Sequence, residues 1–333
     1  MKKNYQAIDI MRVVCSIMVI VVHTYPFYER FPLIGFFSSN IFGRILIPFF
    51  FICAGYFFQK GDLVNKKDKF KSYSSKLIRL YLLWSILYIP FGIFKLSYTF
   101  PIEPILWFPA AILSLGTFGT YFHLWYMAAL IGAVFFCYYY LKKFSLNSLL
   151  ILGAALFTFG CVETYYGALP TIVQGGIDVY MSIFFTTRNA LFMGIFLFSI
   201  GLWIAKKDFN KTMPHPGVYA ALFFTLFVVE ALFVRSKGWA IDYNFYFLVV
   251  PFSFFWFCFL LNLDLNTKWD CLALRQYSVI IYFSHGIFLE LVPLVLNLMS
   301  SNLYSIGAFR LFSVLIPTLV LSYWIKHHVP QLQ

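Results

Sequence analysis

The chain has little charge. Only 11% of its 333 residues are Asp, Glu, Lys or Arg, whereas a soluble globular domain carries about a quarter. The mean hydropathy is +0.80, and aromatic residues make up 22%, with 43 Phe among them. A water-soluble core could not bury so many. The shortage of charge therefore excludes a soluble protein and indicates an integral membrane protein whose apolar side chains face lipid.

The cysteines show no paired spacing, and we expect no cleavable leader at the start of the sequence. Five of the six cysteines lie in hydrophobic runs and Cys271 lies in a loop, with no paired spacing and no metal motif. We expect free thiols and no metal site. The basic start, MKKN, leads into an apolar run that Arg12 interrupts and that has no small-x-small cleavage site. We therefore expect this run to be a first membrane span.

A net charge of +12 suggests nucleic acid at first sight, but no compact basic module exists to bind it. The apolar runs predict an all-α polytopic bundle of about ten transmembrane helices, in one membrane-embedded domain over 1–333. We predict these helices over 8–27, 40–58, 77–94, 122–141, 148–166, 189–205, 217–235, 246–263, 277–297 and 307–326.

The distribution of basic residues orients the helices. With ten spans both termini lie on one side, and the connections on that side hold 16 of the 25 Lys and Arg residues, against five in the opposite connections. This asymmetry predicts cytoplasmic termini in a multi-pass membrane protein. The long connection 59–76 is predicted to be a basic cytoplasmic loop. Segment 95–121, broken by three prolines, is predicted to be re-entrant or interfacial.

The first predicted helix carries ionisable groups inside an apolar stretch. Arg12 and His23 are eleven residues apart, which is about three turns plus 20°, so they share a face roughly 16 Å apart along the axis. Asp9 precedes Arg12 by three residues and is positioned to neutralise it. Such groups usually line a polar interior. The alternative is that Arg12 and His23 reach the two membrane interfaces.

Further polar residues fall at the ends or middle of other predicted spans. Lys76 and Arg79 share a face of the third helix and are suited to an anion such as a pyrophosphate, or simply reach the headgroups. His285 lies in the middle of the ninth helix, where a purely structural histidine is the alternative. The remaining candidates are Arg44, His123, Tyr126, Arg188, Asn189 and Ser284.

Several of these residues lie in motifs that resemble the membrane-bound acyltransferase 3 family. Arg12 and His23 are separated by ten residues and preceded by Ile8-Asp9, which is similar to that family's first-helix signature. The stretches PFFFICAGYFF, HLWYMAAL and YFSH and the basic start of the third helix match in the family's order, with Lys76 in place of the usual Arg. Within the family, FFTTRNALF and YNFYFLVVPFSFF resemble the membrane domain of vancomycin-resistance serine racemases.

The resemblance implies transfer of an acyl group, usually acetyl, from acyl-CoA to a hydroxyl or amine of an envelope glycan or small acceptor. His23 is then the general base, with Arg12 and Asp9 as catalytic partners. Lys76, Arg79 and Arg44 would bind the donor. Substrate-binding roles fall to His123, Tyr126, Arg188, Asn189, Ser284 and His285. Direct transfer and an acyl-histidine intermediate both remain open.

Two alternatives to acyl transfer remain. The likeness to serine racemases suggests an L-serine conduit, although the halves of the chain show no convincing internal repeat. A structural anchor is the other alternative, but several intramembrane basic groups are costly for anchoring alone. The expected partners are the lipid bilayer, acyl-CoA and the acceptor. Nucleic acid is not expected, and a homo-oligomer is left open.

Overall fold

The computed structural model describes residues 5–99, 107–117, 119–265, 267–299 and 302–332. Within these ranges the chain is helical and has no strand. The helices that matter here are α1 Gln6–Thr24, α2 Pro32–Lys60, α3 Lys67–Thr99, α4 Trp107–Thr117, α5 Trp125–Leu141, α6 Leu146–Gly160, α7 Thr171–Phe184, α8 Ala190–Lys207, α9 Pro216–Lys237, α10 Val249–Asn262, α11 Cys271–Leu298 and α12 Gly307–His328.

All ten predicted helices are present, which confirms the all-α class. Nine helical segments in the described ranges are long and apolar enough to cross a membrane. The eighth predicted span is the exception, because α10 has only 14 residues and a crossing needs about 20. Its start is fixed by Glu230, whose carboxylate accepts hydrogen bonds from the backbone N–H groups of Phe247 (2.8 Å) and Leu248 (2.9 Å).

The structure adds helical residues to three of the predicted connections. The basic loop predicted over 59–76 is much shorter, because α3 begins at Lys67 and buries Phe70 and Ser74 on one face. Segment 95–121 contains α4, whereas residues 100–106 and 118 lie outside the described residues. Helix α7 was not predicted, since its mix of apolar and polar residues was read as a loop.

Contacts divide the chain into two compact units. Unit 1 comprises 1–46, 79–124 and 263–333, and unit 2 comprises 47–78 and 125–262. In unit 1, α1 packs against α11 and α12. The core of this packing is formed by Ile20, Ile281 and Val314, one from each helix, all of them buried.

In unit 2, α8 is the central element and packs against α5 and α6. Gly55 of α2 allows a very close approach to this helix, because a Cβ there would lie 2.0 Å from the Phe198 carbonyl oxygen. Gly201 of α8 faces α2 in the same way, 2.1 Å from the Ile52 carbonyl oxygen. The two glycines therefore allow α2 and α8 to pack backbone against backbone.

Unit 2 also buries a carboxylate with its partners. Glu163 is fully buried, and its two oxygens accept hydrogen bonds from the Thr187 backbone N–H (2.5 Å) and the Asn244 side chain (2.8 Å). These bonds join the end of α6 to the segment before α8 and to the segment before α10. Because a buried carboxylate is tolerated only when it is hydrogen-bonded, Glu163 has a structural role in this unit.

Candidate active site

His285 lies in the middle of α11 and is fully buried. Its Nδ1 is 2.6 Å from the Tyr282 carbonyl oxygen and 3.3 Å from that of Ile281. A carbonyl oxygen can only accept, so Nδ1 carries the hydrogen and Nε2 holds the lone pair of a neutral ring. In the described part of the chain this Nε2 has no hydrogen-bond partner. The ring is therefore fixed in the form of a base.

His123 occupies a short 3₁₀ turn, Phe122–Leu124, immediately before α5. Its Nε2 lies 3.3 Å from the Phe283 carbonyl oxygen, so the hydrogen is on Nε2 and the lone pair on Nδ1. This Nδ1 is buried and has no partner among the described residues. The Tyr282 hydroxyl donates a hydrogen bond to the His123 carbonyl oxygen, which holds the turn against α11.

The third imidazole, His23, lies near the end of α1 and is half-buried. Its ring stacks on His285 with centroids 5.5 Å apart and planes 13° apart. The His123 ring lies 4.8 Å from the His285 ring, and Phe122 meets His23 edge-on at 5.0 Å. Three histidines predicted separately thus form one group within unit 1, which we call the imidazole cluster.

The imidazole cluster depends on a glycine. A Cβ at Gly286 would lie 2.7 Å from Cε1 of His123 and 2.8 Å from the Tyr88 hydroxyl, distances that real Cβ atoms do not reach. Tyr88 is fully buried and donates a hydrogen bond to the Phe283 carbonyl oxygen (2.6 Å). Gly286 therefore allows the His123 turn and α3 to pack directly against α11.

A carboxylate beside the cluster was missed in the sequence. Glu290 of α11 accepts a hydrogen bond from the hydroxyl of Tyr121, and the Tyr121 ring stacks on Tyr88 at 5.0 Å. Burial, and then the neighbouring carboxylate, raise the pKa of Tyr121, so the phenol keeps its hydrogen and remains a donor. The available signal was the position of Glu290, an acid inside a predicted span.

Asp9 and Arg12 belong to a separate ion-pair cluster near the first turns of α1. Asp9 is fully buried, and Arg275 of α11 binds both of its oxygens, at 2.8 Å each. Arg12 is farther from the carboxylate, at 3.7 Å. The prediction that Asp9 serves Arg12 is therefore only partly right, because the main partner is Arg275, which was counted in a loop. Two guanidinium groups therefore lie against one carboxylate.

The ion-pair cluster is fixed to α11 by hydroxyl groups. Ser16 and Ser278 are buried, their hydroxyl oxygens lie 2.9 Å apart, and both donate to the Arg12 carbonyl oxygen, at 2.9 and 3.1 Å. Arg12 and His23 are about three helical turns apart on α1. The structure therefore places the two predicted catalytic residues at different levels of the same helix.

The predicted donor-binding residues occupy three positions. Arg44 of α2 donates a hydrogen bond to Asn40 (2.8 Å) within unit 1. Lys76 and Arg79 lie three residues apart on α3, and both side chains are exposed. Both cations are therefore accessible to an anionic group.

The predicted substrate-binding residues of unit 2 make structural contacts. Tyr126 is buried and packs its ring against Phe51, with centroids 4.9 Å apart. The Asn189 side chain caps the start of α8 by accepting from the Phe192 N–H (3.0 Å). The Arg188 guanidinium lies over the Trp125 ring at 5.4 Å.

Ser284, the remaining predicted residue, belongs to unit 1. It is fully buried, and its hydroxyl oxygen lies 3.5 Å from that of Ser322 on α12. Ser284 therefore joins α11 to α12 at the position next to His285.

The fold and the buried ionisable groups define a multi-pass helical membrane protein. A family model described as an acyltransferase domain (Acyl_transf_3) matches residues 5–327. The chain belongs to this acyltransferase 3 family.

Curated relatives carry racemase names. The chain is 26% identical over 208 residues to an amino-acid racemase of Enterococcus faecalis, covering 61% of this chain and 28% of that protein. A second amino-acid racemase of the same organism is 24% identical, with 88% and 42% covered. A serine/alanine racemase of Enterococcus gallinarum is 21% identical, with 84% and 40% covered. The chain thus spans less than half the length of these relatives. No solved structure matches it.

Proposed function

We propose that this protein transfers an acyl group, acetyl in the simplest case, from acyl-CoA to a hydroxyl or amine. One observation carries the proposal: His23, His123 and His285 meet inside unit 1, and two of the rings keep buried lone pairs without partners in the described chain. Membership of the acyltransferase 3 family supports the same reaction class. The bacterial cytoplasmic membrane and an envelope acceptor are parts of this proposal.

The reaction requires a base near neutral pKa, and histidine supplies it. His23 takes the proton of the acceptor as the acceptor attacks the thioester carbonyl. The C–S bond then breaks, and the coenzyme A thiolate receives a proton. His285, whose ring stacks on that of His23 at 5.5 Å, would position the acceptor beside His23 or relay the proton through an intervening group. An acyl-histidine formed on His23 is the second route, with the same overall balance.

The cations have the complementary task of holding the donor. Lys76 and Arg79 are accessible neighbours on α3 and suit the phosphates of coenzyme A. Arg12, in the ion-pair cluster, would polarise the donor or bind its phosphates, and Arg44 is a further candidate for the phosphates.

Purified protein in nanodiscs with acetyl-CoA and host membranes as acceptor source tests the proposal. Release of free thiol should fall to background for His23→Ala, while the matched variant His327→Ala keeps wild-type rates, since His327 is exposed on α12. Arg12→Ala and Arg79→Ala should weaken coenzyme A binding. Wild-type rates for His23→Ala would remove His23 from the mechanism.

An L-serine conduit is the second candidate. The names of the racemase relatives favour it, because a membrane part that supplies substrate would complement a racemase. Uptake of labelled L-serine into vesicles carrying this chain distinguishes the two functions. Saturable uptake without an acyl donor supports the conduit, and uptake equal to that of empty vesicles excludes it.

A further inference from the structure

Two lone pairs of the imidazole cluster define a more specific binding requirement. Nδ1 of His123 and Nε2 of His285 are both hydrogen-bond acceptors, because the opposite nitrogen of each ring donates to a backbone carbonyl. Both side chains are more than nine-tenths buried, and neither nitrogen has a partner in the described chain. The ring centroids are 4.8 Å apart, so the two unpartnered nitrogens belong to adjacent rings.

Buried acceptors of this kind call for a donor. Most buried polar groups in proteins are hydrogen-bonded, and an exception points to a ligand, an ion or a water. A metal ion does not fit, since no group of three His, Cys, Asp or Glu in the described ranges is arranged to hold one. The missing partner is therefore a hydrogen-bond donor, which is water in the resting protein and the acyl acceptor that displaces this water in the reaction.

The number of hydrogens on the reacting group distinguishes a hydroxyl from an amine as the acyl acceptor. A hydroxyl group carries one hydrogen and satisfies one lone pair, leaving the other buried acceptor unpaired. A primary amine carries two and satisfies both. We infer that the acceptor of this transferase is a primary amine and that His123 and His285 form its binding subsite. This inference rests on the proposed acyl transfer and selects between its two acceptor classes.

The balance of the reaction agrees with an amine. An amine arriving as ammonium first gives one proton to an imidazole. The neutral nitrogen then attacks the thioester carbon, so that a C–N bond forms and the C–S bond breaks. The nitrogen loses a second proton, and the thiolate takes up one. The products are an amide and free coenzyme A, with one proton released, and nothing is oxidised or reduced.

The chemistry of the product tests the inference even while the acceptor is unidentified. Nanodisc protein is incubated with acetyl-CoA labelled in the acetyl group and with host membranes, and the labelled product is treated with alkaline hydroxylamine, which cleaves oxygen esters and thioesters but leaves amides. Label that resists hydroxylamine supports an amine acceptor. Label released by hydroxylamine overturns it while leaving acyl transfer intact. If the wild-type protein transfers no more label to the membranes than His23→Ala does, the proposed function itself is overturned.

A pH profile provides a second test. In His123→Gln the side-chain amide can still donate to the Phe283 carbonyl, but the Nδ1 lone pair is lost. A primary amine titrates near pH 10. At alkaline pH a larger fraction of the amine therefore binds in its neutral form, and its reaction then needs one base fewer. We expect the ratio of wild-type activity to His123→Gln activity to fall about threefold or more between pH 7 and 9. A ratio of the two activities that does not change with pH contradicts an amine as the acyl acceptor.

Discussion

The buried carboxylate of Glu163 in unit 2 and the buried imidazoles of unit 1 differ in how their polar atoms are bonded. In unit 2 the carboxylate of Glu163 is buried with a donor on each oxygen. In unit 1 the imidazoles of His123 and His285 are buried with one nitrogen bonded and the other without a partner among the described residues. A fully bonded group stabilises the fold, whereas a group with an unused lone pair is available for chemistry. The contrast supports a structural role for Glu163 and the proposed catalytic role for the imidazole cluster.

Removing a lone pair from unit 1 should have the largest effect on activity. In His285→Asn the side-chain amide replaces the Nδ1 donor, but the Nε2 base is lost, so we expect acyl transfer to fall by about 10²–10⁴ with little change in thermal stability. His327→Ala is the control, because His327 also bonds its Nδ1 to a carbonyl four residues earlier but is exposed. Wild-type turnover in His285→Asn would contradict a role for His285 in the reaction.

Removing the buried carboxylate of unit 2 should chiefly affect stability. Glu163→Ala leaves the Thr187 N–H and the Asn244 amide without their acceptor, which costs on the order of 3 kcal/mol. Thermal unfolding should therefore shift to clearly lower temperature, with unchanged turnover per folded molecule. Glu163→Gln keeps one acceptor oxygen and should lose less. If Glu163→Ala were as stable as wild type but had lost turnover, a purely structural role for Glu163 would be contradicted.

Disturbing the spacing of the cluster should have an intermediate effect. In Gly286→Ala the new methyl group would displace His123, since the Cβ would lie 2.7 Å from its ring. We expect activity to fall about tenfold and stability by about 1–3 kcal/mol. Gly175→Ala on α7 is the matched control, because nothing lies within 4 Å of a Cβ there. If the two variants behave alike, the packing at Gly286 does not position the ring.

The smallest expected effect is on acid stability. A hydrogen bond from Arg310 holds the pKa of Glu29 below its ordinary value of 4.5. A lowered folded-state pKa stabilises the protein above the unfolded value, and that stability is lost as pH falls through the folded value. Glu29→Gln should therefore unfold at a slightly lower temperature than wild type at pH 7 and at the same temperature once the pH lies below the lowered pKa. A difference that persists in acid contradicts this linkage.

Local patterns in the sequence predicted the helices and individual site residues. Apolar runs gave the spans, and the Arg12–His23 spacing singled out α1. Proximity between distant segments is a property of packing, so the meeting of His23, His123 and His285 could not be read from spacing. Arg275 was counted in a loop because the start of α11 is polar, and its pairing with Asp9 needs two helices side by side. Helix α7 was missed because it is too short and polar for a span.

A structure determined with a non-hydrolysable acyl-CoA analogue, in which a thioether replaces the thioester, tests the central claim most directly. The account predicts the thioether and its carbonyl beside His23 or His285 in unit 1, within hydrogen-bonding distance or one intervening water. An analogue that binds with its acyl end among unit 2 residues, or that leaves all three rings untouched, would contradict it.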